Sequence, residues 1–222
     1  MTGNHIAEFM GRLEGRFRRT TAPLRLLPDF IIIGGQKCGT TSLFHYLREH
    51  PRVRAPTRKE THYFTTHFAS QRLAWYRSLF PTLLHRLVDS RIRTFEASPG
   101  YLYNPYAADR IKNLLPNVKL IVSLRNPVDR AYSHYHHSVR IGKETLPFEQ
   151  AIFKEDERVG SIKLRLEHDP GFFDRALNWY TYLSYGIYAD YLKTGSKSFP
   201  RAAFSSSRVK RFSRMRRRRS SR

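Results

Sequence analysis

Short apolar runs alternate with amphipathic stretches along this chain, the pattern of strands alternating with helices. Residues 30–33, Phe-Ile-Ile-Ile, form a continuous apolar run of the kind a fully buried parallel strand shows, and it stops at Gly34 and Gly35. Residues 40–50 then place Leu43, Phe44 and Leu47 at helical spacing. Pro51 closes that helix, because proline disfavours helical geometry in the residue before it. Residues 118–124, Val-Lys-Leu-Ile-Val-Ser-Leu, read as a second strand, and Asn126 with Pro127 opens a helix directly after it. Between these units, residues 94–97 predict a short strand, and Asn104 caps a helix that has Pro105 at its first position and runs to Leu115. Further helices are expected over residues 71–94, interrupted at Pro81, over 144–157, entered at Pro147, and over 172–192, broken at Gly186. The expected fold class is α/β, a central parallel sheet flanked by helices.

The loop between the first strand and its helix is the main candidate for chemistry. A strand–glycine loop–helix unit aims backbone N–H groups and the positive end of a helix dipole at one point, and Lys37 adds a full charge there. Gly34 and Gly39 have the spacing of the outer glycines in the P-loop pattern G-x-x-x-x-G-K-[ST], but Thr40 stands where the lysine belongs. A triphosphatase uses that lysine on the β and γ phosphates and the next hydroxyl on magnesium. This P-loop-like version therefore points to phosphate binding without ordinary triphosphate chemistry. Arg125, at the carboxyl end of the second strand, and Ser133, two turns into the following helix, are placed to face a ligand in the crevice outside the strand ends. An ion pair with Asp129 is the other reading of Arg125. Residues 52–66 read as an extended segment broken by Pro56. On a strand, Glu60 and His62 would share one face and Thr61 and Tyr63 the other; the first pair either acts on a substrate proton or salt-bridges in an exposed loop.

Composition narrows the possibilities. The 222 residues suffice for one domain with a real core. The net charge of +22 suggests a nucleic-acid binder until its distribution is considered: residues 192–222 hold twelve Lys and Arg and no Asp or Glu. The remaining excess still suits anionic ligands. Cys38 is the only cysteine, so neither an intrachain disulfide nor a cysteine-based zinc site is possible; a small residue filling a tight turn is favoured there over a nucleophilic thiol. His134, His136 and His137 lack the H-x-x-x-H pairing that puts two imidazoles on one helix face, so no metal is assigned. No apolar run approaches the roughly 20 residues of a membrane span, and the N-terminus lacks the apolar core of a secretion signal, so a soluble, cytoplasmic protein is expected. Residues 1–28 form a basic segment that places Ile6, Phe9, Met10, Leu13 and Phe17 near helical spacing. That suits a membrane-surface or targeting helix, and equally a loosely packed N-terminal helix.

These motifs together resemble the sulfotransferase family, in particular its heparan sulfate N- and 3-O-sulfotransferase-like branch and its bacterial relatives. The resemblance covers about residues 28–191. It rests on G-G-Q-K-C-G-T-T-S-L, K-E-T-H-Y-F, F-E-A-S-P-G-Y-L and L-I-V-S-L-R-N-P-V-D-R-A-Y-S-H-Y in this order. It implies that Gly35, Gln36, Lys37, Cys38, Gly39, Thr40, Thr41 and Ser42 bind the 5′-phosphosulfate of the donor 3′-phosphoadenosine 5′-phosphosulfate (PAPS). It implies also that Arg125 and Ser133 hold the 3′-phosphate, and that Glu60 is the catalytic base, with His62 as helper. Lys37 and the amides of residues 39–41 would stabilise negative charge on the leaving phosphate without a metal. The acceptor would be a carbohydrate-like or other small hydroxyl or amine compound, and no specific nucleic-acid partner is expected.

Two departures from the family pattern carry expectations of their own. Ala97 stands where the heparan sulfate enzymes have the lysine of E-K-T-P, which points toward another carbohydrate, a lipid or a small hydroxylated acceptor. After Tyr191 the chain becomes an Arg/Ser-rich tail, residues 192–222, expected to be disordered and read as a truncated or frame-shifted end that leaves the domain of residues 29–191 without its C-terminal elements and its activity impaired. The competing functions are a P-loop kinase or similar phosphotransferase, and a basic nucleic-acid-binding module carried by the tail.

Overall fold

The computed structural model describes residues 2–199 and 204–208. Five parallel strands form one sheet: β1 (Phe30–Gly34), β2 (Val53–Arg54), β3 (Arg93–Ala97), β4 (Lys119–Leu124) and β5 (Phe204–Arg208), in the order β2-β3-β1-β4-β5. Helix α1 (Thr2–Thr20) precedes the sheet and α2 (Thr40–Arg48) follows β1. Helices α3 (Leu73–Ser78) and α4 (Leu84–Val88) lie between β2 and β3, and α5 (Ala107–Leu114) between β3 and β4. After β4 come α6 (Pro127–Arg140), α7 (Phe148–Phe153), α8 (Glu155–His168), α9 (Ala176–Tyr180) and α10 (Tyr188–Ser198). Among the described residues no helix is long and apolar enough to cross a membrane.

Strand alternation divides the core. Ile31 and Ile33 of β1, with Leu120 and Val122 of β4, pack on one face of the sheet against Tyr63, Tyr76, Phe80 and Ile111. Ile32, with Phe95 and Ala97 of β3, packs on the other face against Phe44 of α2. Burying each such aliphatic or aromatic side chain contributes about 1.5–3 kcal/mol, and a strand covered on both faces needs the unbroken apolar run seen at residues 30–33.

Several expected elements differ in detail. Asn126 caps α6 as anticipated, its side chain accepting from the amides of Val128 and Asp129. The helix after Asn104 begins only at Ala107, because Asn104 Oδ1 instead accepts the Tyr106 amide in a turn. The helix entered at Pro147 breaks at Lys154 and restarts, so that α8 runs on to His168. Segment 52–66 is not a strand beyond Val53–Arg54; the backbone turns left-handed at Glu60 and at His62. The largest correction concerns the C-terminal side. The expected domain end at Tyr191 falls inside α10, Phe199 is buried, and residues 204–208 pair in parallel with β4. Regular secondary structure therefore extends past Tyr191 to Ser198 and includes residues 204–208, while residues 209–222, the most arginine-rich part of the tail, lie outside the described residues.

Gly34 ends β1 opposite Ser123 of β4 with φ 146°, and a Cβ there would stand 2.2 Å from the Ser123 carbonyl oxygen. Both the backbone angle and the contact demand glycine. Gly34→Ala should lower stability by about 3 kcal/mol or more, measured by denaturant unfolding; a loss below ~1 kcal/mol would show that the two strand ends can separate freely.

Candidate active site

The β1–β4 pairing brings both strand-to-helix loops to the same end of the sheet, where they border a cleft of about 1460 Å³. From the glycine loop and α2, Gln36, Lys37, Gly39, Thr40, Thr41 and Ser42 line it; from β4 and α6, Arg125 and Ser133 do; from the turn after β2, Glu60 and His62 do. Gly35 and Cys38 lie behind this wall. A Cβ on Gly35 would meet Cys38 Sγ at 2.4 Å and the Tyr103 hydroxyl at 3.0 Å, and Cys38 is fully buried, its thiol pKa raised by burial. Cys38 is thus the small turn-filling residue rather than an exposed nucleophile.

Positive charge gathers on the glycine-loop side of the cleft. Lys37 makes no ion pair with a carboxylate among the described residues, and its pKa is lowered first by burial and then by the positive charges of Arg140 and Arg125. Among the described residues the ion-pair partner of Arg125 is Asp129 at 4.0 Å, an exposed carboxylate. Gly39 stands before α2 in left-handed geometry and no side chain caps the helix, so its first amides keep their hydrogen-bonding capacity for a ligand. Cations held together at some cost, beside open amides, define a site that an anion would relieve.

Across the cleft, Glu60 sits between Lys59, which donates to its Oε1, and His62, whose Nε2 is 3.6 Å from Oε2. Burial holds the His62 imidazole below its ordinary pKa against the opposing pull of Glu60. The described non-glycine residues with positive φ are Lys37 (67°), Glu60 (58°) and His62 (53°). Such backbone is strained for residues that carry a Cβ, and strain of this kind clusters at functional sites. Here it falls on the residues expected to carry chemistry.

A sulfotransferase domain profile matches residues 27–207 of the chain. The chain belongs to the sulfotransferase family. It is 35% identical over 174 residues to human heparan sulfate glucosamine 3-O-sulfotransferase 3B1, an alignment covering 78% of this chain and 39% of that protein. It is 39% identical over 117 residues to the membrane-associated sulfotransferase kil1 of Dictyostelium discoideum, covering 53% of this chain and 24% of that protein. The crystal structure of a sulfotransferase from Alicyclobacillus acidocaldarius superposes with a TM-score of 0.68 at 31% identity, covering 86% of this chain and 76% of that one. The chain spans less than half the length of these two curated relatives.

Two features of this sulfotransferase-family site escaped the sequence. Tyr188, at the start of α10, donates to the Arg125 carbonyl at 3.0 Å and contacts Cys38 Sγ at 3.5 Å, tying the two cleft loops together. His137, in the histidine cluster set aside as a metal site, lines the cleft one turn beyond Ser133, with Lys37 and Arg140 depressing its pKa after burial. Neither a lone tyrosine in an aromatic-rich stretch nor one histidine of three carries a sequence signal for such a place.

Beneath Glu60 and His62 lies a buried carboxylate, Glu96 of β3. It accepts from the hydroxyls of Thr61, Tyr76 and Tyr101, and from Ser98 at 2.9 Å. These hydroxyls reach back to the turn: the Tyr63 amide donates to Thr61 Oγ1 at 3.2 Å and the His62 amide to Ser98 Oγ at 3.3 Å. Burial raises the Glu96 pKa while the hydroxyl bonds oppose it. The cage fixes a turn that its own dihedrals disfavour. Thr61→Val removes one donor at nearly constant volume and should cost about 1–3 kcal/mol. It should also move the His62 titration, followed by NMR, up toward its ordinary value, and Thr61→Ser should restore both. An unmoved His62 midpoint in Thr61→Val would mean the cage does not position the turn.

Proposed function

We propose that the chain is a PAPS-dependent sulfotransferase acting on a hydroxyl or amine of a carbohydrate-like acceptor. The observation that carries the reading is that a cationic loop pair and a carboxylate–imidazole pair line one cleft. Lys37, Arg125 and the uncapped start of α2 bring positive charge to the cleft, where Asp129 is the one carboxylate near Arg125 among the described residues, and Glu60 with His62 lines the same cleft. Lys37, with Gln36 and the amides and hydroxyls of residues 39–42, takes the 5′-phosphosulfate, and Arg125 with Ser133 takes the 3′-phosphate. Gly35 and Cys38 set the course of that loop from behind.

Glu60 accepts the acceptor proton as the acceptor oxygen or nitrogen bonds to sulfur. The bond from sulfur to the bridging oxygen breaks, and its electron pair stays on the 5′-phosphate. Lys37 and the α2 amides stabilise that developing charge, so residues of the chain do the work a metal does in triphosphate chemistry. Among the described residues no cluster of His, Cys, Asp and Glu has the arrangement to hold a metal ion. His62, whose pKa burial lowers, supports Glu60 as a second proton acceptor.

The named human relative acts on heparan sulfate glucosamine, which supports a carbohydrate acceptor. Ala97 supports a different one from the glycosaminoglycan of the heparan sulfate enzymes. It is fully buried and its carbonyl accepts the Glu60 amide at 3.0 Å, so the position that bears lysine in those enzymes offers an acceptor no charge here.

With labelled PAPS and a panel of sugar acceptors that includes heparan sulfate, the wild type should transfer label, and Glu60→Gln should reduce kcat at least ~100-fold while the apparent KM for donor stays within a few-fold. Undiminished kcat in Glu60→Gln would remove Glu60 from the base role.

A further inference from the structure

Helix α1 is amphipathic in the wrong direction for a helix that packs on its own domain. Phe9, Leu13 and Phe17 succeed one another at i+4, with Met10 beside them, and they are 60%, 45%, 65% and, for Met10, 59% exposed. At 100° per residue these four span one face of the helix. Among the described side chains of the helix, the partly buried positions are Gly15 and Arg18, on roughly the opposite side. There Arg18 fastens the helix to the body, donating to the Ser78 carbonyl at 2.8 Å and the Phe80 carbonyl at 3.2 Å. Arg12, Arg16 and Arg19, all exposed, occupy the flank beside the apolar face. Near the end of the helix a second apolar surface adjoins: the Leu83 amide bonds the Leu24 carbonyl at 2.9 Å, and Leu24, Leu84 and Leu87 are 61%, 65% and 80% exposed.

We propose that this face of α1 lies in the interfacial plane of an anionic lipid bilayer, holding the protein on a membrane surface without crossing it. An exposed apolar stripe bordered by arginines is the signature of an in-plane helix, whose side chains enter the acyl boundary while the guanidinium groups meet lipid phosphates. Charge selects the lipid over a second copy of the chain. Two copies meeting through α1 would bring together the same arginine flanks on molecules of net charge +22. The docking surface is separate from the cleft residues, and the inference stands whether or not the cleft transfers a sulfuryl group.

The test is co-sedimentation of the full chain with vesicles of phosphatidylcholine alone and of phosphatidylcholine with phosphatidylserine. Its variants are Phe9→Ser/Leu13→Ser/Phe17→Ser, and Arg12→Gln/Arg16→Gln/Arg19→Gln. All of these side chains are exposed, and circular dichroism melting should show unchanged folding. The wild type should bind the phosphatidylserine vesicles, with at least tenfold weaker binding to phosphatidylcholine, and each variant should lose at least tenfold on the anionic vesicles although residues 209–222 remain intact. Three results would overturn the proposal: no binding by the wild type, anionic-vesicle binding unchanged in the Ser variant, or light scattering that shows a wild-type dimer abolished by that variant in the absence of lipid.

Discussion

The parallel pairing of β1 with β4, closed at Gly34 and Ser123, is the constraint on which the cleft depends. The five paired positions from Phe30 to Gly34 set the register, and the Gly35 amide still bonds the Ser123 carbonyl at 3.2 Å where the strands diverge into their loops. Ser123 Oγ then donates to the Cys38 carbonyl at 2.7 Å, so the end of β4 holds the glycine loop in place. Tyr188 closes the far side by binding Arg125 and contacting Cys38. Neighbouring parallel strands lie about 4.8 Å apart, which puts Lys37 and Arg125 within electrostatic reach of each other although 88 positions separate them in the chain. Two anion-seeking loops a strand apart are suited to a ligand with two separated phosphate groups, whereas a P-loop with its lysine after the second glycine gathers its charge on one polyphosphate.

The opposite wall is held by different physics. Glu60 and His62 stand in left-handed backbone that no local preference of theirs supports, and the compensation comes from below, where Glu96 collects four hydroxyl donors in the core. A buried carboxylate with no cation bonded to it is costly unless its hydrogen bonds are made. Because the donors include Thr61 and Ser98, which in turn receive amides of the turn, satisfying the carboxylate and bending the backbone are one event. Lys37 has the same kind of backbone in the facing loop. Strained geometry thus falls on Lys37 as well as on Glu60 and His62, all of which line the cleft.

Much of this was legible in the sequence, for reasons that can be named. Buried parallel strands require apolar runs, so β1 and β4 announce themselves; Asn126-Pro127 and the glycine loop announce the helices that follow. The family resemblance supplied the link among distant segments that periodicity cannot provide, and it placed Glu60 and His62 beside the cleft although the strand imagined for them is a turn. The Glu96 cage was hidden because its hydroxyls come from positions 61, 76, 98 and 101, which look like ordinary loop and core residues. The C-terminal side misled for another reason. Composition describes side chains, but an edge strand recruits backbone: β4 offers a row of unpaired N–H and C=O groups, and residues 204–208 satisfy it whatever their serine content. Upstream of them, Tyr191, Leu192 and Phe199 pack on the core and carry the chain to that edge.

The central claim is that one cleft holds two phosphates through two loops, and isothermal titration calorimetry tests it most directly. Titration with 3′-phosphoadenosine 5′-phosphate should give one-site binding without magnesium, weakened at least tenfold in both Lys37→Ala and Arg125→Ala, while ATP with magnesium binds far more weakly than the bisphosphate. Tight ATP binding together with no detectable bisphosphate binding would contradict the account.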